Sequence, residues 1–166
     1  KRYIMLTQTE LKRLWDYNPS TGIFTRLVRT NGRVKVGAVA DFLRPDGYVQ
    51  FQISRKKYLG HRLAWLYMIG NFPNDATDHL NGIRHDNRWV NLRDATNSIN
   101  QQNQRGPKSN NKSGYLGVSW HTKAKKWRAN IRLNGKSFHL GTFDNVHEAA
   151  ECYLSKKREI HEGCTI

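Results

Sequence analysis

Asn134-Gly135 stands between two runs in which apolar and polar residues alternate, and no other feature limits the fold as tightly. A two-residue Asn-Gly loop closes an antiparallel hairpin because both positions need positive φ, which these residues tolerate. The signal predicts strands over 127–133 and 136–140, and the preceding run over 115–121 reads as a third. A helix follows from about Asn145, with Val146, Ala149, Ala150, Tyr153 and Leu154 on one stripe. Side chains alternate across a strand. Trp127, Ala129, Ile131 and Leu133 therefore point toward that stripe, and Lys126, Arg128, Asn130 and Arg132 point away. Ser119, His121, Ser137 and His139 share this second, polar face.

Upstream the pattern is mixed. Thr7 with Glu10 three residues on, flanked by Leu6 and Leu11, marks a helix start, and Leu11, Leu14 and Trp15 give it one apolar face. Asn18-Pro19-Ser20-Thr21-Gly22 then breaks the chain. Short strands are expected over 22–28, 34–40 and 48–53, with Arg55-Lys56-Lys57 as a basic turn. A helix from His61 to Met68 ends at Gly70. Residues 74–105 are dominated by Asp, Asn, His and Arg, and residues 104–114 have linker composition. The class is α+β: an N-terminal helix-plus-strands region, a ββα core, then a three-stranded antiparallel sheet packed on one helix. The expected division is 1–105, with the motif core at 74–105, a linker at 106–113 and a C-terminal domain at 114–166.

The charge narrows the partner. The 166 residues carry 28 Lys and Arg against 13 Asp and Glu, a net +15. That balance calls for a polyanion, and the excess is spread along the chain rather than held in one tail. Residues 1–77 have 13 basic and 5 acidic side chains, residues 78–110 have 5 and 3, and residues 111–166 have 10 and 5. No apolar run approaches the roughly 18 residues that span a bilayer, and no amphipathic helix has a long apolar face for lying on one. A membrane role is therefore not expected. The basic start lacks the apolar stretch of a secretory signal, and without an initiator Met the true N-terminus stays open. Cys152 and Cys164 are the only cysteines. They cannot make a four-cysteine zinc site and read as reduced thiols in a cytosol.

The densest polar chemistry lies where the charge excess is least. Residues 76–79 can form a short strand, 92–96 a returning strand, and Thr96 or Asn97 can cap a short helix carrying Asn100. In that β-β-α arrangement Asp78, His79 and Asn100 converge. A carboxylate and an amide oxygen are hard ligands of the kind Mg²⁺ takes while keeping several waters. A neutral His79 can accept a proton from water. Metal plus base is a kit for phosphodiester hydrolysis.

Asp78-His79, Asn81-Gly82, Asp86-Asn87-Arg88, Asn91-Leu92-Arg93 and Asn100 together resemble the HNH endonuclease motif in its Asp-His…Asn…Asn form. The likeness extends to residues 6–24, Gly47-Tyr48 and His61-Arg62-Leu63-Ala64-Trp65, which are similar to phage-type HNH proteins of the homing kind. The resemblance implies a ββα-metal fold, His79 as general base, and Asp78 and Asn100 as ligands of one divalent cation, Mg²⁺ or Mn²⁺. Asn91 would pin the loop and orient His79. Asn81, Asp86 and Asn87 read as turn and loop-bracing residues, His85 has no role, and His61 is a helix-start residue near DNA or a structural histidine. The paired-cysteine zinc of many family members is absent, so no structural zinc is expected.

The C-terminal run has its own likeness. Tyr115, Gly117-Val118, Lys126-Trp127, Ala129, Ile131-Arg132, Leu140-Gly141-Thr142-Phe143 and Glu148-Ala149-Ala150 with Tyr153 resemble the plant ethylene-response (Apetala-two type) DNA-binding domain over 114–163. That family lays its sheet in the major groove. Leu116, Ser119, His121 and Ser137 stand where several plant members read DNA with arginine, so the plant target does not carry over. The expected DNA contacts are Arg62, Arg105, Ser119, His121, Lys126, Arg128, Asn130, Arg132 and His139. The expected activity is site-specific cleavage of double-stranded DNA, leaving 3′-hydroxyl and 5′-phosphate ends. The enzyme would be a monomer needing no protein partner, in the cytoplasm of a phage's or mobile element's host. A nonspecific nuclease, and a non-catalytic sequence-specific DNA-binding regulator, are the alternatives.

Overall fold

The computed structural model describes residues 5–29, 35–39 and 42–166. These described residues form small antiparallel sheets and four α-helices, and the chain parts into two compact units, Lys1–Ala95 and Thr96–Ile166.

In the first unit, α1 (Gln8–Leu14) starts where Thr7 accepts a hydrogen bond from the Glu10 amide. A cap of this kind contributes about 1 kcal/mol. The helix stops at Trp15, which begins β1 (Trp15–Asn18). Trp15 thus shares the apolar face expected of it, but as a strand residue: Trp15 and Tyr17 are buried while Asp16 and Asn18 are exposed, a period of two. β1 pairs with β2 (Ile23–Arg26). The break between them is an Asx turn, with Asn18 Oδ1 accepting from the Ser20 and Thr21 amides. The strand expected over 34–40 lies partly outside the described residues; within them Val39 makes one bridge to Thr25.

β3 (Gln50–Ile53) buries Phe51 and Ile53 and pairs with β4 (Lys56–Leu59). The turn here is Ser54-Arg55, both at positive φ (47° and 65°), so Lys56 and Lys57 are strand residues rather than the turn expected of them. Two successive left-handed residues match the twist of the flanking strands. α2 (Gly60–Ile69) ends at Gly70, whose left-handed backbone lets its N–H reach the Leu66 carbonyl. Leu63, Ala64 and Leu66 from α2 join Leu11, Leu14, Trp15, Tyr17, Phe24, Phe51, Ile53 and Leu92 in one core. β5 (Ala76–His79) and β6 (Leu92–Ala95) complete the unit as an antiparallel pair, with Asp78 opposite Arg93 and His79 opposite Leu92.

The second unit opens with α3 (Asn97–Gln102), capped by Thr96, which accepts from the Ile99 amide. The sheet is β7 (Val118–His121), β8 (Lys126–Leu133) and β9 (Lys136–Phe143) in that order. Asn134 and Gly135 sit at φ 50° and 80° between the last two strands. β9 runs past Leu140, where the sequence reading ends it. Gly141 pairs with Ala129 and His139 with Asn130, so Leu140 is an extra residue in the ladder and the strand bends there to continue. α4 (Val146–Ile160), capped by Asn145, lays Ala149, Ala150 and Tyr153 on Val118, Ala129 and Ile131. Gly117, at φ +68°, is a close approach: a Cβ there would sit 2.0 Å from the Tyr153 ring.

The unit boundary after Ala95 lies upstream of the limit expected at 105. A six-residue helix has little stability of its own, and α3 is gripped by the end of its own unit. The Gly163 amide donates to Gln102 Oε1, buried Lys157 donates to the Gln104 carbonyl, and Thr165 donates to Asn103. Nor is the stretch at 106–113 featureless. Asn111 Oδ1 accepts from the Ser113 and Gly114 amides, and the Ser113 hydroxyl donates to the Val118 carbonyl.

Candidate active site in a strand-loop-strand motif

The site grows out of β5. Its last residues, Asp78 and His79, are each 4% exposed, an unusual depth for a carboxylate and an imidazole. Burial of such groups requires partners. The loop between β5 and β6 supplies them, and Asn91 shapes that loop. Its Nδ2 donates to the Asp86 carbonyl at 2.8 Å, and its Oδ1 accepts from the Asn81 amide at 2.9 Å. The Leu80 amide bonds to the Asn91 carbonyl, so backbone and side chain of one residue hold both ends of the loop. Asn81 Nδ2 donates to Asp86 Oδ2, and Arg88 donates to both Asp86 oxygens. The Arg88 bonds hold the Asp86 carboxyl down to about 2. Asn81 and Asp86 are the loop braces that the sequence suggested.

Asn87 does more than brace. Its Oδ1 lies 3.3 Å from His79 Nε2. An amide oxygen only accepts, so Nε2 carries the proton and the basic lone pair of His79 sits on Nδ1. Asn87 is itself fixed and buried. Tyr17 donates its hydroxyl to the Asn87 carbonyl, and a Cβ on Gly60 would lie 2.7 Å from Asn87 Nδ2. Gly22, at φ +74°, lets the Asn87 backbone approach where a Cβ would sit 2.5 Å away.

Two rings pack on His79. His61, at the start of α2, meets it edge-on with centroids 5.1 Å apart, and Tyr48 lies 6.0 Å away. Burial pushes His79 below the ordinary histidine value, against the opposing pull of the Asn87 bond and of the Asp78 and Asp86 charges. Burial, with the charges of His79 and Arg62, takes His61 down to about 3. Both shifts favour the neutral imidazole. Neither the His61 contact nor the Asn87 bond had a signal in sequence spacing, because both are made by the tertiary fold.

Asp78 is held from across the sheet. Arg93 Nε and Nη2 both donate to Asp78 Oδ2, at 3.0 and 2.8 Å. Among the described residues no group of three or more His, Cys, Asp or Glu could cage a metal. The Asp78 carboxylate is a hard oxygen donor of the kind a divalent cation takes while keeping most of its waters. Asp78, His79 and Asn91 thus fall on adjoining elements of the first unit. Asn100 falls in the second, half-buried on α3.

The expected DNA contacts divide similarly. Arg62 donates to the Asp75 carbonyl and lies over the Phe72 ring. Arg105 is turned onto the chain end, donating to Thr165. On the three-stranded sheet, register places Ser119 opposite Arg128, His121 opposite Lys126, Asn130 opposite His139 and Arg132 opposite Ser137, all on the face away from α4. Lys126 pairs with Asp144, His139 bonds Asn130, and Arg132 donates to the Gly135 carbonyl. Arg128 Nε is buried with no hydrogen-bond partner. Among the described residues no helix is long and apolar enough to cross a membrane.

Residues 58–102 match the family model for HNH endonuclease. Protein 3.8 of Escherichia phage T7 is 30% identical over 115 residues, which is 69% of this chain and 91% of that protein. The chain belongs to the HNH endonuclease family; it is a nuclease, and DNA is the partner this implies. No solved structure matches it significantly.

Proposed function

We propose that this nuclease is a site-specific DNA endonuclease of phage homing type, in which His79 activates water and the C-terminal unit selects the site. The setting of His79 carries the reading: a buried, neutral imidazole, bonded through Nε2 to Asn87, next to a buried carboxylate. The Nδ1 lone pair takes a proton from water as the water oxygen attacks phosphorus. The bond from phosphorus to the 3′ oxygen breaks, and that oxygen takes a proton from solvent. The products are a 3′-hydroxyl and a 5′-phosphate. A divalent cation, Mg²⁺ or Mn²⁺, would be held by Asp78 and would supply stabilisation of charge on the leaving oxygen; Asn100 is the second oxygen donor that the motif resemblance assigns. Asn91 holds the loop that carries this chemistry.

Selection falls to residues 114–166, read as an Apetala-two-type domain. Its polar face offers cations for phosphates and Arg or Asn side chains for base edges. Ser119, His121, Lys126, Arg128, Asn130, Arg132 and His139 are the contacts, with Arg62 and Arg105 on the backbone. The enzyme acts as a monomer in the host cytoplasm.

One observation favours the alternative of a non-catalytic DNA-binding regulator: Arg93 already occupies an oxygen of the expected metal ligand. A plasmid bearing genomic DNA that neighbours the gene separates the two, incubated with Mg²⁺ or with EDTA. The endonuclease nicks or linearises it only with the cation, and His79→Ala loses about 10²–10⁴-fold in rate while still binding. Cleavage by His79→Ala at the wild-type rate removes His79 as base. Specific binding by wild type without cleavage in Mg²⁺ or Mn²⁺ establishes the regulator.

A further inference from the structure

Arg93 pairs with the buried carboxylate of the centre at 2.8 Å. It stands directly opposite Asp78 in the β5–β6 register. Its Nε and Nη2 both donate to Asp78 Oδ2, and two parallel charge-assisted bonds fix the rotation of the carboxylate. The Asp78 side chain is 5% exposed and that of Arg93 is 27%. The anion is therefore inside and its countercharge lies toward solvent.

We infer that Arg93 is a positioning residue of the nuclease centre: a resident countercharge that orients Asp78 and keeps the centre's affinity for divalent cations low until DNA arrives. The inference rests on reading Asp78 as a cation ligand. Asp78 and Arg93 together carry no net charge, so a dication approaching the carboxylate gains one attraction and meets one repulsion at similar range. In a partly desolvated site neither is fully screened. DNA phosphates reverse that balance, because they add negative charge on the cation's side and can engage the guanidinium themselves. Loading of the cation then follows DNA binding, and the free protein holds it weakly.

The test is Mn²⁺ binding to the full-length, DNA-free chain, followed by electron paramagnetic resonance. Wild type binds weakly. Arg93→Gln removes the repulsion and binds at least about tenfold more tightly. Arg93→Lys keeps the charge but not the two parallel donors. Its Mn²⁺ affinity stays near wild type, while its nicking rate at saturating Mn²⁺ falls. Asp78→Asn abolishes the binding seen in wild type and in Arg93→Gln. If Arg93→Gln binds no more tightly than wild type while Asp78→Asn binds nothing, the countercharge role is overturned and the ligand reading stands. If Asp78→Asn binds as well as wild type, the ligand reading fails and takes this inference with it. Arg93→Lys nicking at the wild-type rate would remove the orienting half.

Discussion

The two units place their polar side chains in opposite ways. In the first, Asp78, His79, Asn87 and Asn91 are all buried, and each has defined partners within a single loop or across one strand pair. In the second, the polar face of the sheet is half-buried or exposed, with Lys126 paired to Asp144, His139 bonded to Asn130 and Arg132 to the Gly135 carbonyl. Chemistry and recognition ask for different surfaces. A base and a ligand need one protonation state and one orientation, which burial and saturated hydrogen bonding supply. A groove-reading face must keep its donors available for phosphates and bases. On the proposed division of labour, the two functions are separable by perturbation, and four measurements press on that separation.

The largest effect belongs to salt. With about 6–10 basic side chains on phosphates, DNA affinity falls about 10³–10⁵-fold between 50 and 200 mM salt. Single-turnover cleavage of DNA already bound should change little over the same range. An affinity nearly flat in salt would mean that the +15 charge is not spent on DNA. Next comes Asn87→Ala, which frees the His79 ring and lowers the cleavage rate by up to about 10²-fold, the penalty of a misplaced catalytic group. Gly60→Ala pushes on the same amide and acts in the same direction by less. DNA affinity holds in both, and a matching fall in affinity would break the comparison.

Arg128→Ala and Arg132→Ala are the mirror experiment. Each weakens binding to the target by about 1–3 kcal/mol if it reads a base, and neither alters the rate at saturating protein. Loss spread uniformly over all sequences would demote the residue to a phosphate contact. The smallest effect is a pH dependence of folding. Folded His61 protonates only near 3, whereas an unfolded histidine does so near 6.5. Between those values the unfolded chain binds the extra proton, so stability falls as pH drops from about 6.5 toward 3. His79, shifted the same way, adds to it. In His61→Phe the melting temperature should fall less steeply over that window; an unchanged slope would place the acid sensitivity elsewhere.

What the sequence could convey tracks how local each feature is. β5, β6, the Thr96 cap, the Asn134-Gly135 turn and the α4 stripe depend on neighbours within a few residues, and all are legible. β1 was hidden because Trp15 satisfies a helical and a strand period at once. β4 was hidden because Ser54-Arg55 takes a left-handed turn without glycine or asparagine. Leu140 reads as a strand end because a bulge leaves no mark in the alternation. In the centre, Asp78, His79 and Asn91 follow from motif spacing. The Asn87 bond to His79, the His61 ring and the Arg93 pair arise from chain segments that meet only after folding. In the sequence Asn87 reads as a loop residue, because nothing local shows that its amide turns inward to His79.

The grip of the chain end on α3 bears on how such a protein can be recombined. Gly163 lies so close to α3 that a Cβ would stand 2.3 Å from the Ile99 carbonyl oxygen. Lifting the C-terminal module out at residue 114 would leave Gln102, Asn103 and Gln104 without the partners that Gly163, Thr165 and Lys157 provide. If the C-terminal unit selects the target as proposed, a chimera that exchanges target choice between relatives should be cut after Ala95, inside the stretch that matches the nuclease family. The exchanged piece then brings Asn100 with it, so new specificity arrives with its own copy of a residue assigned to the cutting chemistry.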